Sequence, residues 1–151
     1  MLFERAWRQG IGSLSRREHS GIAGVTGHVA ESIASMLLVE LGWNVLWQLI
    51  GSGGNGVDLV LLSPDDRVVA VEVKGTLVPG RIPRLSRREL SQMSAAWLDK
   101  TDNPGMTELG LESADLYGAV TVVNLADHMW QSSVHERLRD APTGDHHRPT
   151  V

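Results

Sequence analysis

The chain has 151 residues, of which 42% are hydrophobic and 21% charged, a composition typical of a soluble globular domain. It contains no cysteine, which excludes disulfide bonds and thiolate metal sites. The formal net charge is −4, so nucleic-acid binding would need positive charge concentrated in one place. No apolar run approaches the roughly 20 residues of a membrane span, and the N-terminus MLFERAWRQG is not a secretory signal.

The first predicted elements are helical. Residues 1–20 are charged and indicate a short helix followed by a loop. From Gly27 to Leu41 apolar residues recur at spacings of three and four, which predicts an amphipathic helix. The stripe consists of Ala30, Ile33, Ala34, Leu37, Leu38 and Leu41. Thr26 is suited to cap the start of this helix, and Gly42 occupies the position of a left-handed C-terminal glycine.

A β-hairpin is predicted after a strand at residues 43–50 and the loop GSGGNG. The runs Val57–Ser63 and Arg67–Lys74 are rich in β-branched residues, and the sequence Pro-Asp-Asp between them favours a turn. If these three residues form the turn, Ser63 pairs with Arg67. Asp58 then lies directly opposite Glu72, with the two Cβ atoms about 4.5–5.5 Å apart.

The remaining predicted elements are a helix, a strand and a closing helix. Ser86 and Glu89 have the spacing of a capping box, followed by a helix that buries Leu90, Met93, Trp97 and Leu98. Residues 115–125, DLYGAVTVVNL, predict a strand, and residues 128–140, HMWQSSVHERLRD, predict a helix. We expect one domain over residues 1–140 and a disordered tail over 141–151.

The glycine loop contains the spacing G-x-G-x-x-G at Gly51, Gly53 and Gly56. In a dinucleotide-binding enzyme a helix begins at the third glycine, where its N-terminus meets the pyrophosphate. Here Gly56 is followed by VDLVLLSP, which predicts a strand that ends in a proline turn. The strand predicted after Gly56 therefore argues against a dinucleotide-binding turn.

The hairpin brings three charged residues to one face. Two carboxylates as close as those expected for Asp58 and Glu72 repel each other unless a cation joins them or one is protonated. Mg²⁺ and Mn²⁺ prefer such oxygen ligands. Lys74 follows Glu72 by two residues, so its ammonium can reach the same space. The alternative is an ordinary solvated sheet face. The pattern favours a divalent-metal site with a neighbouring lysine.

A cluster of arginines follows the hairpin, within the sequence RIPRLSRR. It consists of Arg81, Arg84, Arg87 and Arg88. Such a cluster can hold the phosphate backbone of a nucleic acid, and that binding would be sensitive to salt. The alternative is that these arginines are solvated surface residues.

Asp58, Glu72 and Lys74, in the arrangement VD…EVK, resemble the PD-(D/E)xK restriction-endonuclease-like superfamily over residues 26–125. The resemblance implies an α/β fold with the core α-β-β-β-α-β, a central mixed sheet flanked by helices, and a Mg²⁺- or Mn²⁺-dependent endonuclease. It also implies that Glu31 completes the metal site and that Gln92 lies beside it, although the helical periodicity turns Gln92 away from the apolar stripe. Val57 replaces the proline of the family pattern.

The segments GNGVDLV, VVAVEVKG and LSQMSAAW also look like the nuclease domains of bacterial polymorphic and contact-dependent-inhibition toxins. That resemblance implies a secreted effector that acts in the cytoplasm, with a cognate immunity protein that covers the arginine cluster. DNA is the favoured substrate. An RNase of the same fold that cleaves tRNA and a non-catalytic nucleic-acid-binding domain remain alternatives. No membrane partner is expected, and the oligomeric state stays open.

Overall fold

A computed structural model describes residues 2–6, 8, 22–49, 56–85, 92–100 and 102–137. Residues 2–6 are helical. The helices are α1 (Ile22–Glu40), α2 (Ala95–Lys100) and α3 (Pro104–Leu109), with a 3₁₀ turn at Ser113–Asp115, and the strands are β1 (Asn44–Gln48), β2 (Leu59–Leu62), β3 (Val68–Thr76), β4 (Tyr117–Asn124) and β5 (Met129–Arg137). None of the described helices is long and apolar enough to cross a membrane.

These strands form one mixed sheet of five strands in the order β1-β2-β3-β4-β5. Only β3 and β4 run parallel, and the other neighbouring strands are antiparallel. The parallel pair needs a crossover, which α2 and α3 occupy in the chain order. The predicted α/β class with a mixed sheet is therefore confirmed.

Helix α1 covers one face of the sheet. Its buried side chains pack against alternate residues of β2 and β3 in one apolar cluster, which includes Ile33, Leu37, Leu59, Leu61 and Val71. The stripe predicted from the sequence is buried except at its last member, Leu41, which is 54% exposed. The helix begins earlier than predicted, so Thr26 lies inside it and does not cap it. Gly42 has the expected left-handed backbone, with φ of 89°.

The opposite face of the sheet packs against the segment between β3 and β4. Its apolar cluster joins Val60, Ala70, Val120 and Val122 of the sheet to residues of that segment, namely Met93, Leu98, Met106 and Leu116. Asp58, Glu72 and Lys74 project from this face, since side chains alternate along a strand. The charged residues therefore lie on the side that α1 does not cover.

The register of the hairpin is the one predicted. Leu59 pairs with Val71 and Leu62 with Val68, so that paired residue numbers sum to 130. The Ser63 N–H donates to the Arg67 carbonyl at 2.8 Å, which closes the hairpin at the predicted turn. The strand β2, and no helix, follows Gly56, so the dinucleotide interpretation lacks the helix it needs. Gly51 and Gly53 lie outside the described residues.

The predicted closing helix is wrong. Met129–Arg137 is strand β5, antiparallel to β4, with Val123 paired with Trp130 and Thr121 paired with Ser132. The Thr121 hydroxyl also contacts the Ser132 hydroxyl at 2.9 Å. Pairing with the exposed edge of β4 satisfies the backbone of this segment and overrides the helix propensity of its charged residues. The predicted tail, residues 141–151, lies outside the described residues.

The predicted helix through residues 86–98 is also wrong in part. Residues 92–94 form a turn, Met93 has a left-handed backbone with φ of 67°, and α2 begins only at Ala95. Met93 and Leu98 are nevertheless buried, as predicted. The turn lets Met93 reach the core from outside a helix. The proposed capping residues Ser86 and Glu89, and Leu90, lie outside the described residues.

The close approach of α1 to β3 depends on Gly75. A Cβ atom at this position would lie 2.6 Å from the Ala30 Cβ and 3.1 Å from the Thr26 carbonyl oxygen. We expect Gly75→Val to lower the free energy of unfolding by about 1–3 kcal/mol or more, because helix and strand must separate. Gly27→Ala on the same helix has 3.9 Å of clearance and should stabilise by up to about 1 kcal/mol. Urea unfolding of both variants tests this contact. Equal changes in the free energy of unfolding for the two variants would contradict a close approach at Gly75.

Candidate active site

Asp58 lies where β2 separates from β3. The strands remain paired up to Leu59 and Val71, and β3 then continues to Thr76. At this point the Asp58 carboxylate takes the place of a backbone acceptor on β2. Its Oδ2 accepts a hydrogen bond from the Val73 N–H at 2.7 Å. The Asp58 N–H donates to the Val71 carbonyl at 3.1 Å. The carboxylate is thus held at a fixed position against β3.

Glu72 is the buried centre of the site and only 4% exposed. Its Oε1 accepts hydrogen bonds from the Lys74 Nζ at 2.7 Å and from the Gln92 Nε2. Its Oε2 is also buried and has no hydrogen-bond partner among the described residues. A buried carboxylate oxygen without a partner is costly in a folded protein, and a bound cation would remove that cost.

Both carboxyl groups are harder to ionise than usual. Burial raises the pKa of Glu72 to about 7, the nearby charge of Asp58 adds to the rise, and Lys74 and Gln92 oppose it. Burial also raises the pKa of Asp58, against the opposing effects of the Val73 N–H and Lys74. The two groups are therefore close enough to repel each other, as their predicted positions across the hairpin require.

Lys74 connects the buried carboxylate with the solvent. Its ammonium forms an ion pair with Glu72, and its side chain is 25% exposed, whereas that of Glu72 is 5% exposed. Asp58, Glu72 and Lys74 together carry one net negative charge when all three are ionised. The structure brings these predicted site residues together, with an ammonium at the accessible side of a carboxylate pair.

Glu31 lies half-buried on α1, which packs on the other face of the sheet. The preceding residue, Ala30, faces Gly75 of β3, so this turn of α1 crosses β3 one residue beyond Lys74. Across the part of the chain that the structure describes, no group of three or more His, Asp or Glu side chains could hold a metal ion. Glu31 thus does not form a three-carboxylate group with Asp58 and Glu72 here.

Gln92 lies beside the site, although the helical periodicity turned it towards solvent. Because residues 92–94 form a turn and not a helix, its side chain reaches back to Glu72 and donates to Oε1. The helical wheel gave the wrong direction for Gln92, because residues 92–94 form a turn. The position of Gln92 beside Glu72 is the one that the resemblance to the nuclease superfamily implied.

The arginines of the predicted phosphate-binding cluster are described only in part. Arg81 and Arg84 lie exposed on the segment that follows β3. Arg87 and Arg88 lie outside the described residues. Arg81 and Arg84 follow the C-terminal end of β3, the end that carries Lys74.

Asn103 is a site residue that the sequence reasoning missed. It is 4% exposed, its Oδ1 accepts from the Val57 N–H at 2.9 Å, and its Nδ2 donates to the Leu98 carbonyl at 3.0 Å. Although Asn103 occupies the N-cap position of α3, its side chain does not cap that helix. It fixes the residue before Asp58. Asparagine before a proline is typical of a plain helix start, so no local pattern indicates this role.

Gly56 is required by the same contact. It has φ of +111°, and a Cβ atom would lie 2.2 Å from the Asn103 Oδ1. Only glycine allows the chain to pass this close to Asn103 in that conformation. The third glycine of the loop thus serves the placement of the following aspartate and not a cofactor phosphate.

We expect Asn103→Ala to lower the free energy of unfolding by about 1–3 kcal/mol, because a buried N–H loses its acceptor. If the protein is a metal-dependent enzyme, the concentration of Mg²⁺ for half-maximal activity should also rise, since Asp58 is less well fixed. The exposed neighbour supplies the control, Asp102→Ala. Loss of stability without any change in the metal requirement would limit Asn103 to a structural role.

The pKa of Glu72 predicts how the stability of the metal-free protein depends on pH. Its pKa is about 7 in the folded state, against an ordinary glutamate pKa of 4.5. Between these values the folded protein keeps a proton that the unfolded chain has lost, so the free energy of unfolding falls as pH rises, by about 3 kcal/mol. Urea unfolding with EDTA, from about pH 4.5 to pH 8, should show a fall that Glu72→Gln lacks. If the free energy of unfolding depended on pH in the same way in the wild type and in Glu72→Gln, the raised pKa of Glu72 would be contradicted.

Comparisons with protein-family models, with curated proteins and with solved structures find no match to this chain.

Proposed function

We propose that this protein is a divalent-metal-dependent nuclease that hydrolyses phosphodiester bonds, with DNA as the favoured substrate. The observation that carries the proposal is the pair of carboxylates formed by the buried Glu72 and the partly buried Asp58. Asp58 and Glu72 repel each other, and Glu72 keeps one buried oxygen without a partner among the described residues. An arrangement that is unfavourable without a ligand is typical of a functional site.

The residues fit a hard divalent cation. Mg²⁺ and Mn²⁺ prefer carboxylate oxygens and retain several waters, so two protein carboxylates suffice for a catalytic site. Asp58 and Glu72 would hold the ion, and Glu31, which forms no three-carboxylate group with them here, would act only through water. When bound, the ion would polarise the scissile phosphate and acidify a water molecule. Its charge would also favour the ionised form of Glu72, whose pKa is about 7 in its absence.

Lys74 supplies positive charge at the open side of the site. Its ammonium is anchored on Glu72 at 2.7 Å and is partly exposed, so it can contact a phosphate that approaches from solvent. There it would offset the negative charge that develops in the transition state or orient the attacking water. Gln92 holds the same oxygen of Glu72 and would act by positioning that carboxylate.

The exposed arginines Arg81 and Arg84 would bind the backbone of the substrate on the side of Lys74. The chain carries a formal net charge of −4, so this contact would depend on local charge and would weaken with salt. Arg87 and Arg88 belong to the same proposed surface. A cognate immunity protein that covers it would block the substrate.

The proposal includes membership of the PD-(D/E)xK superfamily. The chain order from α1 to β4, the antiparallel hairpin that carries Asp58 and Glu72, and the parallel pairing of β3 with β4 all support it. An antibacterial toxin that acts in the cytoplasm is the biological role we infer from the resemblance. An RNase of the same fold that cleaves tRNA is the alternative within this chemistry.

Incubation of the purified protein with plasmid DNA and with tRNA tests the proposal, each with Mg²⁺ or with EDTA. We expect cleavage that requires Mg²⁺ and that Lys74→Ala lowers by about 10²–10⁴-fold. Cleavage of tRNA but not plasmid would assign the protein to the RNases. Binding of both nucleic acids without cleavage under any metal would identify a non-catalytic binding domain.

A further inference from the structure

A cavity of about 230 Å³ lies between the loop Gly80–Ile82 and the hairpin of β4 and β5. Its apolar lining includes Ile82, Val122, Met129 and Trp130. Arg81 and Asp127 add opposite charges to its lining. We call it the Arg81 cleft. None of its residues belongs to the carboxylate site described above. One of them, Arg81, belongs to the proposed backbone-binding surface.

The Arg81 cleft borders the candidate active site on the same face of the sheet. Val122 of its lining pairs with Lys74 across the parallel strands β3 and β4, and with Gln131 across β4 and β5. Paired residues project to the same side, and neighbouring strands are about 4.8 Å apart. The cleft therefore begins one strand away from Lys74, within reach of a nucleotide whose phosphate lies at that lysine.

The wall of the cleft is held in place by hydrogen bonds. The Asn124 Nδ2 lies 3.1 Å from the Val78 carbonyl oxygen and 3.2 Å from that of Arg81. The Asp127 Oδ2 accepts from the Gly80 N–H at 2.7 Å and from the Asn124 Nδ2 at 2.8 Å. The loop is thus tied to the turn between β4 and β5. A preformed cleft binds a ligand without first having to order its wall.

The size and chemistry of the cleft suit one flat ring system. The volume is below the roughly 300–1,000 Å³ of sites for drug-sized ligands. Ile82 and Met129 expose 49% and 65% of their surface, and so offer apolar contact to a ligand. Asp127 would repel a phosphate at the cleft, whereas an uncharged heterocycle can pack on the apolar side chains of Ile82, Val122 and Met129. Arg81 can hold the phosphate that follows.

We propose that the Arg81 cleft binds a nucleobase of the substrate next to the scissile phosphate. This inference rests on the proposed nuclease function and extends it to the kind of substrate. A base in the cleft cannot remain stacked in a duplex, so the preferred substrate is a single strand or a strand with that base turned out.

Photocrosslinking tests the location of the base without requiring cleavage. A single-stranded oligodeoxynucleotide with 5-iodouracil is bound to the Lys74→Ala chain with Mg²⁺, irradiated, and mapped by mass spectrometry. We expect crosslinks in the segments 80–82 and 129–131. Crosslinks confined to other segments, or none at all, would overturn the proposal.

Cleavage of two matched single strands tests the contribution of the base. One carries ordinary bases, and the other has the same backbone with abasic residues. We expect wild-type kcat/KM to be about 10-fold or more higher for the strand with bases, because the apolar cleft removes one face of the base from water. Ile82→Ala and Met129→Ala should each lower this ratio towards one. Val134→Ala, an exposed apolar residue of β5 outside the cleft, should keep it.

The outcomes separate the base site from the nuclease function. A ratio near one in the wild type, or a high ratio that neither cleft variant changes, would show that no base is recognised in the Arg81 cleft. Cleavage of neither strand, together with crosslinks in the cleft, would contradict the nuclease and leave a nucleobase-binding site.

Discussion

Replacement of Lys74 by alanine is expected to lower the rate of cleavage at saturating Mg²⁺ by about 10²–10⁴-fold, because the transition state loses a charged partner. The fold should persist, since the ammonium lies at the open side of the site and the side chain is 25% exposed. Metal affinity should change little, as Lys74 is not a ligand. Single-turnover cleavage measures the first effect and Mn²⁺ titration the second.

A second readout separates a chemical role of Lys74 from a structural one. Lys74 lowers the pKa of Glu72 through its charge and its hydrogen bond. Without it the pKa of Glu72 rises further, so the residual activity of Lys74→Ala should need a higher pH than that of the wild type. Lys74→Arg keeps the charge and should recover part of the rate. Replacement of Lys100, the only other lysine of the chain, is the control. Unchanged cleavage by Lys74→Ala would remove this residue from the reaction.

Replacement of either carboxylate is expected to lower metal-dependent cleavage by about 10³-fold or more, because the ion loses one of its anchors. Asp58→Asn and Glu72→Gln keep the shape of each side chain. In the metal-free protein at about pH 8, Glu72→Gln should raise the free energy of unfolding by about 1–3 kcal/mol, since it removes a buried charge next to Asp58. Cleavage assays and urea unfolding with EDTA measure the two effects on one variant.

The opposite signs of these two effects are the informative result. A carboxylate that served the fold would lower stability when replaced, whereas one maintained for metal binding gives up stability in the metal-free protein. Asp66→Asn, at the tip of the same hairpin with φ of 61°, is the control because asparagine tolerates that backbone. A Glu72→Gln chain that is less stable and still cuts would contradict the assignment.

The hairpin was predictable from the sequence because its information is local. A proline turn and two β-branched runs set the register, and the register alone places Asp58 opposite Glu72. The helix α1 was predictable for the same reason, from its apolar spacing. Its cap was not, since the helix continues through Thr26 to an earlier start at Ile22.

The remaining features depend on contacts between distant parts of the chain. Strand β5 forms because β4 offers it an edge, and its own sequence favours a helix. Gln92 turns towards Glu72 because of the left-handed backbone at Met93. The Asn103 side chain accepts a hydrogen bond from the Val57 N–H, which lies 46 residues earlier in the chain. No local pattern reports such contacts, so the residues that support the site are harder to predict than the residues that form it.

The binding of Mn²⁺, measured by calorimetric titration at about pH 7.5, above the pKa of Glu72 of about 7, decides whether Asp58 and Glu72 form a metal site. We expect binding by the wild type and by Lys74→Ala, and at least about 10-fold weaker binding by Asp58→Asn and by Glu72→Gln. Mn²⁺ should also remove the pH dependence of stability that Glu72 causes. Equal Mn²⁺ affinity in the wild type and both carboxylate variants would show that Asp58 and Glu72 do not form a metal site.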